Sequence, residues 1–389
     1  MGMDMVMATI AKERRSHDLE TTQGGLSGAS IDSAVVEKLR SIAVHALARM
    51  YYPERRLFAF RLRRDGAGEI LEGVSRRYTA TVLIGLASAD RHVAAEVLGR
   101  HSPEDVCDYL LDDMERMEDL GEAALTTWAA RALGHTKARA AIKALQRMGP
   151  GQRPYPTVEL SWALTALAVD PKGSDMAQTE MTAQALLESF RQESGLFPHW
   201  SAGYAAPRLR AHVSCFADFV YPIQALSYYH LATGDSRAAE AACRCAERMC
   251  QLQGPAGQWW WHYDHRTGQV VERYPVYSVH QHAMAPMALF ALAKACGRDH
   301  SGSIERSLQW LFNPPEKAGV LVDPERNVIW RKVARREPRR LVRGVQAVAS
   351  CLHPRLRVPG MDLLFPPTAI DYESRPYEMG WILHVWRES

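Results

Sequence analysis

The thirty residues from Gln258 to Met287 hold Trp259, Trp260, Trp261, His262, Tyr263, His265, Arg273, Tyr274, Tyr277, His280 and His282. Four histidines, three tyrosines and three tryptophans in that span stand far above the rest of the chain. Indole rings stack on sugar faces or shield a cation. Imidazole and phenol groups exchange protons near neutral pH when their neighbours tune them. The segment therefore reads as a candidate wall of a site. His262, His265, Tyr274, Tyr277, His280 and His282 are the proton-moving candidates. Trp259, Trp260, Trp261 and Arg273 are the substrate contacts. In an extended run Trp259 and Trp261 face one way and Trp260 the other, so at least one belongs to packing. His262-x-x-His265 and His280-x-His282 also offer enough nitrogen ligands for zinc. His280 and His282 converge only if their stretch is extended. No HExxH or CxxC pattern accompanies them. No cofactor is expected, with zinc as the alternative.

A second constellation lies where other long apolar helices should begin. It comprises Arg76, Arg77 and Tyr78; Glu159 and Trp162; His212 and Asp218; and Glu373, Arg375, Tyr377 and Glu378. Asp218 falls inside an apolar stretch, where an unpartnered carboxylate is costly, so a pocket or partner must explain it. Glu159 and Asp218, on different repeats, are candidates to face each other as an acid and a base. His199 and Trp200 end a short Gly-Leu-Phe-Pro run, and Trp330 and Arg331 lie in a basic stretch. With Arg76, Arg77 and Arg273, Arg331 suits a carboxylate or a diphosphate equally. Residues 331 to 343 carry seven basic residues against the single acid Glu337, which favours an anionic small ligand.

These residues need elements to hold them. Helical spacing predicts helices over Ala34–Met50, Tyr78–Ala89, Pro103–Met117, Glu122–Leu133, Lys137–Arg147, Val158–Val169, Met176–Arg191, Val213–Ala232, Arg237–Leu252, Val279–Cys296, Ile304–Phe312, Leu341–Leu352 and Tyr377–Trp386. Residues 57–78 and 259–277 share a pattern: an aromatic β-prone run, a turn at Gly68 or Gly268, then a long helix. Residues 327–342 read as a third, glycine-free copy and 193–200 as a shorter one.

A helix, a small hairpin and an inward helix recurring in this way resemble the α/α toroids. These are the six-hairpin sugar-active barrels and the terpenoid cyclase and prenyltransferase group. The Gly257-Gln258-Trp259-Trp260 break resembles the glutamine–tryptophan motif of the triterpene cyclases. The resemblance implies an all-α toroid of about six helical hairpins over residues 33–389, with short β-hairpins at one mouth. In such a ring the loops of several repeats converge on one cavity. Residues 1–32 read as a flexible leader.

Composition narrows the classes. The net charge of +3 is too small to argue for nucleic acid. No apolar run reaches the length of a membrane span. Seven cysteines without framework spacing, among them Cys243, Cys245 and Cys250 in one alanine-rich helix, read as reduced packing residues of a cytoplasmic protein. There is no phosphate-binding glycine loop, no nucleophile elbow and no Asp-x-Asp-Asp cyclase motif. The Asp112-Asp113-Met114-Glu115 run reads as a solvated helix face. The expected function is a carbohydrate-active enzyme on an anionic oligo- or polysaccharide, as lyase, hydrolase or epimerase. The alternatives are a diphosphate-binding isoprenoid cyclase or prenyltransferase, and a non-catalytic helical scaffold.

Overall fold

The computed structural model describes residues 31–66, 68–169, 176–201, 208–316, 318–338 and 341–387. The expected leader lies outside them except for Ile31 and Asp32. Asp32 accepts from the Ala34 N–H and opens the first helix, α1 (Ser33–Met50). Fourteen further helices follow among the described residues: α2 (Arg76–Leu86), α3 (Arg91–Leu98), α4 (Pro103–Leu111), α5 (Leu120–Ala132), α6 (Ala138–Arg147), α7 (Thr157–Ala168), α8 (Met176–Ser189), α9 (Ala217–Thr233), α10 (Ser236–Gln251), α11 (Ala285–Cys296), α12 (Ser301–Phe312), α13 (Leu341–Leu352), the short α14 (Met361–Leu364) and α15 (Pro376–Val385).

Two kinds of helix alternate. Helix α6 buries Ala141, Ile142, Ala144 and Leu145 and leaves its other side to water. Helix α10 likewise buries one stripe, from Ala238 to Met249. These are amphipathic outer helices. Helix α7 is buried continuously from Ala163 to Ala168, and α5 from Ala123 to Ala130. A helix apolar all round must be an inner one. Among the described residues the inner helices are α2, α5, α7, α9, α11 and α15, each packed on the next, and α15 packs back on α2. The outer partners are α1, α4, α6, α8, α10 and α12. The protein is an α/α toroid.

Short strands feed the inner helices at one mouth. Strand β3 (Gly68–Ser75) runs into α2, β4 (Val213–Cys215) into α9 and β12 (Glu373–Ser374) into α15. Strand β7 (Val276–Tyr277) runs into a π-helical turn, His280–Met284, that opens α11. The first sheet has the order β1 (Tyr51–Tyr52), β2 (Leu57–Asp65), β12, with β3 also on β2. A second joins β4 to β5 (His262–Asp264) and β6 (Gln269–Glu272). Strands β7, β10 (Lys332–Ala334) and β11 (Ala369–Asp371) form a third, and β8 (Val322–Asp323) pairs with β9 (Val328–Ile329).

Three expectations need correction. The segment from Val213 begins as strand β4, because Val213, Ser214 and Cys215 pair with β5 before Asp218 turns the chain into α9. The supposed third hairpin does not pair with itself: β9 pairs with β8, while β10 pairs with β7 and β11. The Asp112–Glu115 run lies past the end of α4, leading into a 3-10 turn at Met114. The helix from Val279 starts with a π turn because Pro286 has no N–H for the His282 carbonyl. The Trp386 indole donates to that carbonyl instead, at 2.7 Å. Among the described residues, no helix is long and apolar enough to cross a membrane.

The ring closes on two glycines. A Cβ on Gly85 of α2 would lie 2.4 Å from the Gly380 carbonyl oxygen of α15. One on Gly380 would lie 2.9 Å from the Val82 Cα. Gly85→Ala should therefore destabilise the protein by about 2 kcal/mol or more, read from denaturant midpoints. Gly344→Ala in α13, where a Cβ meets nothing within 4 Å, should instead gain up to about 1 kcal/mol of helix propensity. Equal effects at the two positions would sink this account of closure.

Candidate functional site

A cavity of about 1300 Å³ opens at the mouth where α9 begins. Its walls come from residues 190–201, the strand β4 with the Arg208–His212 turn before it, the Trp261–Arg266 strand and turn, and Arg343 of α13. The described lining includes Arg191, Arg208, Arg210, Arg266 and Arg343 against the single acid Glu193. Arg266 is held by Asp264 at 2.8 Å. Trp200 and Trp261 supply aromatic faces.

Four histidines line the cavity: His199, His212, His262 and His265. Burial pushes His262 well below the usual histidine range, and Arg210 and Arg343 push the same way. Burial also lowers His212 and His265. His265 is tied to the Ala211 carbonyl at 3.0 Å, and His212 to the Ser350 hydroxyl at 2.8 Å. His199 goes the other way. Its Nδ1 lies 3.1 Å from both oxygens of Asp218, and that hydrogen bond raises its pKa. Asp218 is completely buried at the first turn of α9, and it also accepts the Cys215 N–H at 2.7 Å. An ionised Asp218 assigns the proton to Nδ1, which leaves Nε2 of the half-exposed His199 ring as the free nitrogen. Among the cavity histidines, His199 alone is both accessible and held in an acid–base pair.

The other expected residues fall into three groups. Trp261 is shared between the cavity and the axis of the ring. Its ring stacks on His280 at 5.7 Å and meets Tyr277 at 4.7 Å. Arg331 lies 5.1 Å from the Tyr277 ring centre, and its Nε is 3.4 Å from Glu378. Glu373 gathers Arg331 and Arg375 at 2.6 Å and Arg61 at 2.9 Å, so it is the hub of an ion network. Arg375 also donates to the Tyr78 hydroxyl at 2.7 Å. A second group spans the mouth from α2. Arg77 pairs with Asp119 and, at 2.7 Å, with Glu159. Arg76 pairs with Glu122 and donates to the Leu110 carbonyl. Glu159 thus meets Arg77, while Asp218 meets His199.

The third group is packing. Trp259, Trp330 and His282 are fully buried, and none lines the cavity. Trp259 stacks on Phe216. Trp260 lies against Tyr274, with Arg273 over its face. The Tyr274 hydroxyl donates to Glu316 at 3.0 Å. His280 and His282 are both pushed down to about 3 by burial, and the π turn keeps them from converging on a metal. The close donor set among the described residues is instead His199, Cys215 and Asp218, mutually within 4.8 Å. Burial and Asp218 push the Cys215 thiol well up, and Nδ1 of His199 faces Asp218. Cys243, Cys245 and Cys250 are free thiols away from the cavity.

Reading the sequence missed Arg208, Arg210 and Cys215. Their signal was present in the Arg-x-Arg step before His212 and in the Val-Ser-Cys run before Asp218, which was taken for helix.

No protein-family model matches this chain, and no curated protein matches its sequence. Solved structures do match. An unsaturated glucuronyl hydrolase specific for heparin superposes with a TM-score of 0.58 at 13% identity, covering 90% of this chain and 95% of the other. A sugar epimerase from a ruminal bacterium gives 0.58 at 9%, covering 90% and 97%. A variant of the unsaturated glucuronyl hydrolase of Streptococcus agalactiae, complexed with dGlcA-GalNAc6S, gives 0.55 at 11%, covering 93% of each. This protein shares the fold of these chains.

Glu378 offers a direct test of the axial cluster. It is wholly buried, and burial raises its carboxyl from the usual 4.5 to about 7 despite Arg331. Between those values the folded chain holds more protons than the unfolded one, so this group's stability is lost as pH rises. Glu378→Gln should remove that loss. Relative to wild type, the variant should gain about 3 kcal/mol between acid pH and about pH 8, measured by denaturant unfolding. Parallel pH curves for the two proteins would refute the assignment.

Proposed function

We propose that the protein is an enzyme that binds an anionic oligosaccharide in the Trp200–Trp261 cavity and moves a proton on it through His199. The observation that carries this reading is the His199–Asp218 pair set in a cavity whose other described charged side chains are nearly all arginine. Proton transfer beside a carboxylate needs three things: a base with a matched pKa, a partner that orients it, and cations that stabilise the charge developing on the carboxylate. Asp218 orients His199 and raises its pKa. Nε2 takes the proton from the carbon next to a uronate carboxylate. Arg210 and Arg343, which stand close enough to lower His262, hold the carboxylate and the charge that builds on it. Delivery of a proton to the opposite face by a second acid gives an epimer; breaking of the neighbouring carbon–oxygen bond, with the leaving glycosidic oxygen taking the proton from the His199 imidazolium, gives elimination. The solved chains of the same fold, by their names a glucuronyl hydrolase and a sugar epimerase, support a saccharide as the substrate.

The test is solvent deuterium exchange into a panel of uronic-acid oligosaccharides, followed by NMR, with ultraviolet absorbance reporting any unsaturated product. Exchange is expected, and His199→Ala should lower it by about 10²–10⁴-fold. Binding of isoprenoid diphosphates with no response to any sugar would replace this reading with the cyclase one. The pH profile follows from the geometry. A general base must be neutral, so activity should fall as pH drops through a pKa above the ordinary histidine value. Asp218→Asn removes the group that raises it, so the acid limb should move to lower pH while kcat falls. An acid limb that stays in place in Asp218→Asn would remove His199 from the base role.

A further inference from the structure

Helix α13 carries apolar residues on its exposed face as well as on its buried one. Outer helices such as α6 and α10 turn their apolar stripe inward and their charges to water. In α13 the buried residues are Val342, Gln346, Ala347, Ala349 and Ser350. Along the other side, at helical spacing, run Leu341, Val345, Val348 and Leu352. Leu341 and Val348 are exposed, and Leu352 is 75% exposed. Polar contacts hold the inner face. Gln346 exchanges two hydrogen bonds with the Val358 backbone, and Ser350 meets His212. The chain that follows adds exposed Leu356, Leu363 at 85% and Leu364. Leu209 is exposed too, and Cys351 at the end of α13 donates to the carbonyl of its neighbour Arg208.

The same segments are basic. Arg208, Arg336 and Arg355 are exposed. Their acids are engaged: Glu337 accepts the Val342 N–H at the start of α13, and Asp362 pairs with Arg335 at 2.8 Å.

We propose that this surface docks on an anionic membrane, with the leucines in the headgroup–acyl boundary and the arginines on lipid phosphates. Scattered single leucines on a surface need no explanation. A helical stripe of two leucines and two valines, with three exposed leucines in the chain that follows and arginines among them, carries both signals of an interfacial helix: apolar area and positive charge. A second copy of this chain would match the stripe but would set the flanking arginines against each other. An anionic lipid surface matches both. Arg343 of α13 lines the cavity, so docking holds the cavity mouth beside the headgroups.

The test is co-sedimentation of the full chain with vesicles of phosphatidylcholine alone and of phosphatidylcholine with about one third phosphatidylglycerol. Pelleting with the anionic vesicles only, loosened by salt, is expected. The triple variant Leu352→Ser, Leu363→Ser, Leu364→Ser should bind at least about tenfold more weakly. These side chains are exposed, so its thermal unfolding should match wild type. Failure of wild type to pellet with either vesicle overturns the proposal. So does undiminished pelleting of the triple variant, which would mean charge alone. A lipid-free dimer that the variant dissolves would also overturn it, making the stripe a self-interface. No sugar is present in the assay, so its result stands apart from the proposed catalytic function.

Discussion

The first and last inner helices touch backbone to backbone at Gly85 and Gly380, and the contents of the mouth are placed by that contact. Helix α2 brings Arg77 and Tyr78 to the mouth, and α15 brings Tyr377 and Glu378. Any Cβ in the seam would part them. Above the seam the ends of the fold are tied again, because β12 pairs with β2 and Glu373 collects Arg61, Arg331 and Arg375. A buried carboxylate is costly unless its partners are well placed. Here Arg375 stands two residues from Glu373, but Arg61 and Arg331 come from distant parts of the chain. The ion network therefore forms only once the ring has closed, and it fixes the mouth when it does.

The architecture was legible because its signal is periodic. Inner helices are apolar all round and outer ones on one stripe, and hairpins with turns at Gly68 and Gly268 precede inner helices, so helices and hairpins could be read from spacing, and the toroid from the resemblance that rhythm carries. Helix α13 was legible at its full length, but the apolar residues on its solvent side stand out only once the structure shows which side is buried. The site was legible in part. Asp218 stood out as a carboxylate in an apolar stretch, and His199 is the partner that explains it. The Trp259–His282 segment was richer in chemistry than the structure makes it. Trp259 and His282 are core, and Tyr274 is spent on Glu316. Composition cannot tell a buried histidine from an accessible one, since burial is decided by long-range packing. The missed arginines, Arg208 and Arg210, lie in a turn without periodicity, where sequence carries only residue type.

Electrostatics then selects one histidine from four. The cavity's positive field acts on all of them and disfavours the imidazolium form. At His262 nothing opposes it, and burial adds to it, so that ring stays neutral and suits accepting a hydrogen bond. At His199 a carboxylate at hydrogen-bond distance outweighs the more distant arginines, because a contact at 3.1 Å in a partly buried site dominates longer-range charge. The same arginines therefore have two effects. They favour an anionic ligand in the cavity, and they keep the unpaired histidines from competing with it for positive charge. Removing Asp218 would let the His199 pKa fall toward those of the other three rings and release its tautomer, and the cavity would keep its affinity for anions while losing the orientation of its base.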